Sequence, residues 1–245
     1  MLYEDISAPI TLVLHHPHFF TQDYWEGWSR LTGCNIIAFD APHHGNNRND
    51  QDFATFAHTT TDHAATLTDT PLIIAGVSQG GVIAQEASSH PRVVGVVGIA
   101  TTRQAATPQE RETMESTCRS WGEKHPPSFL ADIIARNATN SQEETQLREE
   151  AFTITRQAVM AMSKAQITRS IPLLLARRAP IPLEVPSLFI HGTADQTYDI
   201  EEVQGAGEAS TVIPIDGGSH SLPLQYPRLV GALLGQFARS IITTP

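Results

Sequence analysis

Gly76-Val77-Ser78-Gln79-Gly80-Gly81 follows directly on the apolar run Pro71-Leu72-Ile73-Ile74-Ala75 and leads into a segment through Ile83, Ala84, Gln85 and Ala87 that is fit to be a helix. A Gly-x-Ser-x-Gly turn between strand and helix forces the serine into a strained backbone geometry, and the flanking glycines remove the side chains that would collide there. The Ser78 hydroxyl is then left exposed above the sheet edge. The helix that follows aims unpaired backbone N–H groups, that of Gln79 among them, at any negative charge developing on its axis.

Working outward, strand-like runs recur at Thr11 to Leu14, Asn35 to Phe39, Pro71 to Ala75, Val93 to Ile99, Ser187 to Ile190 and Thr211 to Ile215. They are continuous apolar runs without strict alternation, as parallel strands covered on both faces require. The fold class they predict is α/β, with a mostly parallel central sheet and helices on both faces. No convincing strand falls between Ile99 and Ser187. Thr107-Pro108-Gln109-Glu110 is a helix start, and Met114, Cys118 and Trp121 then share one face. Ser128 is placed to cap a short helix bearing Phe129, Ile133 and Ile134; Ser141-Gln142-Glu143-Glu144 reads as a capping box for a helix through Leu147, Ala151 and Phe152 towards Val159 and Met162. The proline-rich stretch from Pro172 to Pro186 is expected to end the helical region. The division implied is a core of residues 1–105 and 184–245 with a helical insertion at 106–183.

A serine nucleophile needs a base, and the base needs an acid to orient it. His191-Gly192-Thr193-Ala194-Asp195 follows the strand ending at Ile190, and Gly217-Gly218-Ser219-His220 follows the strand ending at Ile215. Each has an ordinary reading alone, Asp195 as a turn cap and His220 as a solvated loop residue. Together, each at the carboxyl end of a strand and in the order serine, acid, histidine, they make Ser78, Asp195 and His220 a candidate catalytic triad. Asp199 is the alternative acid.

With these motifs in place the chain resembles the α/β-hydrolase family along nearly its whole length. Leu14-His15-His16-Pro17-His18 is similar to the family's His-Gly-x loop, Asp40-Ala41-Pro42-His43-His44-Gly45 to its Asp-x-Pro-Gly-x-Gly turn, and Val185-Pro186-Ser187-Leu188-Phe189-Ile190-His191-Gly192 to its approach to the acid loop. The layout is most similar to enol-lactonase-like and small carboxylesterase members. The resemblance implies a serine hydrolase of a small carboxylic ester or lactone acting through an acyl-enzyme, with the 106–183 insertion as a cap over the pocket. Two other outcomes stay open: the same triad used as acid and base in C–C cleavage or lyase chemistry, and a binding protein that keeps the pocket without catalysis.

Two departures from the family pattern matter. In the His-Gly-x loop, x supplies a backbone N–H to the oxyanion hole, and here the glycine is missing. Were His15-His16 to take its place, the donor would be Pro17, which has no N–H. With His16-Pro17 in that place the donor is His18, and Trp25 falls where the family often has an aromatic; the expected oxyanion donors are therefore His18 and Gln79. The second departure is His43, which stands at a usual glycine position.

The 11 histidines cluster at His15, His16, His18 and at His43, His44, but no carboxylate or cysteine stands at a recognised ligand spacing. No metal or cofactor is expected. In the insertion, Met114, Trp121, Phe129, Phe152, Met160 and Met162 are candidates either for the pocket wall or for packing onto the core. Of 245 residues 40% are hydrophobic and 17% charged, and 16 basic against 26 acidic residues give a net charge of −10 with no basic run, so no nucleic-acid partner is expected. No segment reaches the ~18 apolar residues of a membrane span. The acidic start, Met1-Leu2-Tyr3-Glu4-Asp5, is unlike a signal peptide. Cys34 and Cys118 read as free thiols, and the expectation is a soluble cytoplasmic protein with a small-molecule substrate.

Overall fold

The computed structural model describes residues 1–121, 124–139, 146–178, 182–204 and 210–243. In chain order the elements are β1 (Leu2–Glu4), β2 (Thr11–His15), α1 (Trp28–Thr32), β3 (Asn35–Phe39), α2 (Phe53–Leu67), β4 (Leu72–Val77), α3 (Gln79–Glu86) and β5 (Val93–Ile99). The helices α4 (Pro108–Ser120), α5 (Pro127–Thr139), α6 (Gln146–Ala161) and α7 (Lys164–Leu175) follow, then β6 (Ser187–Gly192), β7 (Ser210–Ile215), α8 (Leu222–Gln225) and α9 (Pro227–Thr243). The strands form one seven-stranded sheet in the order β1-β3-β2-β4-β5-β6-β7, parallel throughout except for β1 on β3.

Each expected strand forms, and the pleat explains why their sequences do not alternate in polarity. Leu12 and Leu14 of β2, Ile36 and Ala38 of β3, and Ile73, Ala75 and Val77 of β4 face one core with Trp28, Val230 and Leu234 of α1 and α9. Their neighbours Val13, Ile37, Leu72 and Ile74 face the other core with Phe53, Phe56 and Ala57 of α2 and Ile83 of α3. Both faces are buried, so both sets must be apolar. Burying each Leu or Ile fully contributes about 1.5–3 kcal/mol.

β1 is not apparent in the sequence, since three residues of mixed polarity carry no periodic signal. Its anchor is Glu4, whose carboxylate accepts from the backbone N–H groups of Gly27 (2.6 Å) and Ser29 (2.9 Å) at the start of α1. An anion there meets the positive end of the helix dipole.

Helices α4 to α7 lie between β5 and β6 and share a small core of their own, in which Trp121, Leu130, Val159, Ile167 and Ile171 are buried and Met114 and Cys118 partly so. The Thr107 side chain accepts from the N–H of Glu110 with Pro108 in the first helical turn, as expected. Two boundaries differ from the sequence reading. α5 begins at Pro127, so Ser128 lies inside the helix; proline's fixed φ suits the first position. α7 continues through Pro172 to Leu175. The carbonyl that loses its donor belongs to Thr168, on an exposed turn, while Leu174 and Leu175 gain burial by continuing. The capping box at residues 141–144 lies outside the described residues. No helix among the described residues is long and apolar enough to cross a membrane.

One close approach sets the geometry beside the sheet. A Cβ built on Gly80 of α3 would lie 2.1 Å from the carbonyl oxygen of His15 at the end of β2, whereas Gly217, with φ of +66°, faces open space. Gly80→Ala therefore forces backbone apart and should lower stability by about 3 kcal/mol or more. Gly217→Ala should cost only about 1–2 kcal/mol, the left-handed backbone penalty. Urea denaturation of the two variants checks the ordering, and equal losses would contradict it.

Candidate active site

Ser78 sits between β4 and α3 with φ of 54° and ψ of −117°, a conformation that L side chains rarely adopt. The backbone around it fixes that conformation. The N–H of Ser78 donates to the Ile99 carbonyl (2.9 Å), and its own carbonyl accepts from Gly81 N–H (2.9 Å) and from the Thr101 hydroxyl (2.7 Å). Gly76 and Gly80 touch so closely that a Cβ on Gly76 would lie 2.2 Å from the Gly80 carbonyl carbon. Strain of about 1–3 kcal/mol persists only when the surroundings over-determine it, as they do here.

His220, after β7, and Asp195, after β6, are brought together: His220 Nδ1 donates to Asp195 Oδ2 at 2.8 Å. The other carboxylate oxygen, Oδ1, accepts from Thr197 N–H (2.7 Å) and Tyr198 N–H (3.3 Å). Burial pushes the Asp195 pKa up, but the His220 charge and hydrogen bond and the Thr197 amide outweigh it and hold it below the ordinary carboxylate value. Asp199, the alternative acid, is exposed and makes no contact with His220 among the described residues. With Nδ1 committed, Nε2 of His220 is left for chemistry. His220 and Ser78 line the same cavity, of about 680 Å³.

His18 also lines this cavity, and Gln79 lies next to Ser78. Neither backbone N–H donates to a protein acceptor among the described residues. Their side chains belong to a hydrogen-bonded relay whose direction two backbone amides dictate. Ala41 N–H donates to Nε2 of His16 (2.9 Å), so His16 carries its proton on Nδ1 and gives it to the Pro17 carbonyl (2.8 Å). Phe19 N–H donates to Nε2 of His44 (3.3 Å), so His44 likewise donates from Nδ1 to the Pro42 carbonyl (2.9 Å). The Gln79 amide nitrogen can then only donate to His44 Nε2 (3.5 Å), which leaves Gln79 Oε1 to accept from His18 Nδ1 (2.9 Å). His18 Nε2 in turn accepts from the Ser170 hydroxyl of α7 (3.3 Å).

The relay requires neutral imidazoles, and the environment supplies them. Burial lowers the pKa of His15 and His18 to about 3 and of His44 to about 4, and with His44 nearby it holds His16 well below the ordinary value. Neither ring nitrogen of the buried His15 has a protein partner among the described residues. His43 takes up φ of +63°, the left-handed backbone that a glycine would otherwise provide at this position. Trp25 is fully buried against Tyr24 and Trp28. Among the described residues no group of three or more His, Cys, Asp or Glu is arranged to hold a metal ion.

Of the six apolar candidates in the helical segment, only Met114 is found in the cavity wall. Trp121 and Met162 are buried in the segment's own core, while Phe129 and Met160 point to solvent. The sequence reading missed Gln79's side chain, Ser170, Glu110, Arg177 and Tyr198. Arg177 lies within the Pro/Arg-rich stretch expected to end the helical region, where no local signal marks it as a cavity residue.

A model of the alpha/beta hydrolase family matches residues 12–233. A search of curated proteins finds no match. Among solved structures, the chain is similar to a thermophilic esterase from Thermogutta terrifontis, at 18% identity and a TM-score of 0.83 over 99% of this chain and 94% of that one. It is similar also to the enol-lactonase from Burkholderia xenovorans LB400, at 17% identity and a TM-score of 0.76 over 97% and 92%. A third likeness is to a bromoperoxidase from Bacillus anthracis, at 17% identity and 0.75 over 99% and 95%.

The buried histidines make stability depend on pH in a definite direction. Below about 6.5 the unfolded chain binds protons at His15, His16, His18 and His44 that the folded chain refuses, so stability is full above that pH and is lost as pH falls towards 4. Each histidine removes roughly 1.4 kcal/mol per pH unit in that window. Urea unfolding at pH 7, 6 and 5 should give steeply falling stability, with His15→Leu reducing the slope by about one proton. A flat profile would contradict the neutral assignment.

Proposed function

Since the chain belongs to the alpha/beta hydrolase family, we propose that it is a serine hydrolase of a small carboxylic ester or lactone. The observation that carries this reading is the 2.8 Å bond from His220 to the buried Asp195, with His220 and Ser78 lining the same cavity. Ser78 attacks the acyl carbonyl while Nε2 of His220 takes its proton. Asp195 holds the imidazole in the Nδ1–H tautomer and stabilises the imidazolium. The backbone N–H groups of Gln79 and His18 receive the oxyanion, and the Ser170–His18–Gln79–His44 relay keeps their two loops in register before substrate arrives. His220 then protonates the leaving alcohol and activates water against the acyl-enzyme.

The fold lends support at the coarser level, since family membership favours hydrolase chemistry; ester or lactone specificity is the step added here. The helices of residues 106–183 act in this reading as a cap over a core of 1–105 and 184–245. Met114, Ile134, Thr155 and Ile171, one from each of α4 to α7, contribute to the cavity wall. The site of action taken is the cytoplasm, in keeping with two free cysteines, one of them buried.

Fluorophosphonate should label Ser78 stoichiometrically, and Ser78→Ala should abolish hydrolysis of p-nitrophenyl butyrate. Asp195→Asn should lower kcat by roughly two to four orders of magnitude, because the buried acid sets the tautomer. Asp199→Asn should stay within about threefold of the parent, as a surface change does. An active Ser78→Ala protein sinks the assignment. Loss of activity in that variant without any trapped acyl-enzyme favours acid–base use of the triad instead.

A further inference from the structure

The cavity beside Ser78 holds few charges, and their arrangement bears on what can enter. Among the described residues its only permanently cationic lining residue is Arg177, and its carboxylates are Glu110 and Glu202. The residues outside the described ranges include no Lys, Arg or His, so none of them can add a cation.

Arg177 is already committed. Its Nη2 pairs with Glu110 Oε2 at 2.5 Å, its Nε donates to the Gln104 carbonyl at 2.9 Å and its Nη1 to the Leu174 carbonyl at 3.4 Å. Its guanidinium lies over the Tyr198 ring, 5.6 Å from the centroid, and its side chain is only 2% exposed. A guanidinium with protein acceptors on all three nitrogens and an aromatic face beneath it is a structural tie between α4, α7 and the acid loop. Recruiting it to a ligand would leave Glu110 partly buried without its partner. Glu202 has no cation within ion-pair distance among the described residues; its carboxylate accepts from the Thr102 hydroxyl and from Asp199 N–H. Arg177 is near enough to be stabilised by Glu202 too, but one guanidinium against two carboxylates leaves the described lining net negative by one.

A second and independent feature points to a polar group on the ligand. Thr155 of α6 lies in the cavity wall, is 3% exposed, and its hydroxyl has no partner among the described residues. A buried hydroxyl without a partner is costly unless something supplies one. A hydroxyl can complement a carbonyl or an alcohol, but cannot neutralise a carboxylate.

Resting on the ester or lactone reading above, we propose that the substrate is uncharged, and that Glu202, with Arg177 held by Glu110, excludes esters that carry a carboxylate or phosphate. An anion entering would give up its hydration for a wall whose one guanidinium is already held by Glu110 and whose carboxylates outnumber it by one. Glu202 is the specificity-determining residue, acting on the substrate's charge.

The test compares two p-nitrophenyl esters that differ only in that charge: the mixed methyl p-nitrophenyl diester of glutaric acid, and the p-nitrophenyl monoester with its free carboxylate, at pH 8. The neutral diester should show at least about tenfold higher kcat/KM, equivalent to a tenfold difference in binding. Glu202→Gln should narrow the ratio severalfold. Equal or higher kcat/KM for the monoester overturns the proposal, as does a ratio that Glu202→Gln leaves untouched. Binding of both esters to the Ser78→Ala protein, followed by quenching of tryptophan fluorescence, reads the same selectivity without turnover. If neither ester is hydrolysed by the parent protein and fluorophosphonate leaves Ser78 unlabelled, the hydrolase reading fails, while the binding ratio still decides the charge proposal: a tenfold preference upholds it and parity overturns it.

Discussion

The arrangement of the site depends on a backbone contact. Gly80, in the first turn of α3, rests against the carbonyl of His15 at the end of β2, and Gly76 rests against Gly80. With no room for a side chain at either glycine, the helix comes down onto the sheet edge, and Ser78 must turn through a left-handed conformation to connect them. The same contact brings the loop that begins at His15 alongside the start of α3. The serine, the Gln79 amide and the His18 amide thus owe their proximity to one steric fit. The remaining pair, Asp195 and His220, arrives independently on the loops after β6 and β7, where parallel strands deliver their carboxyl ends to the same side of the sheet.

Where the family pattern has glycines, this chain places Pro17 and His43, and the structure accommodates each differently. His43 adopts the glycine-like backbone itself, at φ of +63°, while its ring sits 2.9 Å from Asp50 and is buried. Pro17 cannot do this, since its φ is fixed near −65°. The loop around it is held instead by side chains: His16 and His44 each tie a ring nitrogen to a backbone amide, and Gln79 bridges His18 to His44. A loop built on glycine owes its shape to the absence of side chains. Here the shape comes from three buried rings that must stay neutral, and so from a pH above the range in which they would charge.

The fold was legible because its signals are local. Six apolar runs gave six strands, Gly-x-Ser-x-Gly gave the turn, and Thr107-Pro108 gave the start of α4. The pairing of Asp195 with His220 was legible from order alone, because parallel topology leaves few places for a strand end to go. What stayed hidden was set by contacts between segments far apart in the chain. Ser170 meets His18 across 152 positions and Arg177 meets Glu110 across 67, and nothing in either neighbourhood marks the partner. The helical segment was misread for a related reason. Phe129 and Met160 looked like wall or core by type, but helical position left them facing solvent. Pro172 read as a stop because propensity weighs one lost hydrogen bond and cannot weigh the burial of Leu174 and Leu175 beyond it.

Charge shows the same separation of scales. The 26 acidic and 16 basic residues give the chain a net charge of −10, yet exposed charges are screened beyond roughly 8 Å at physiological salt. Glu149 and Glu150, exposed on α6, add to that total and contribute no side chain to the cavity wall. Apart from the Asp195–His220 pair, the charges of the described cavity wall are Arg177, Glu110 and Glu202, and the Arg177–Glu110 pair nearly cancels itself. Arg177 feels Glu202 as well but pairs with Glu110, so one carboxylate is left in excess at the half-buried Glu202, where screening is weaker than on the open surface. What the pocket admits is therefore governed by which carboxylate Arg177 has taken, a local matter of geometry that the overall composition does not reveal.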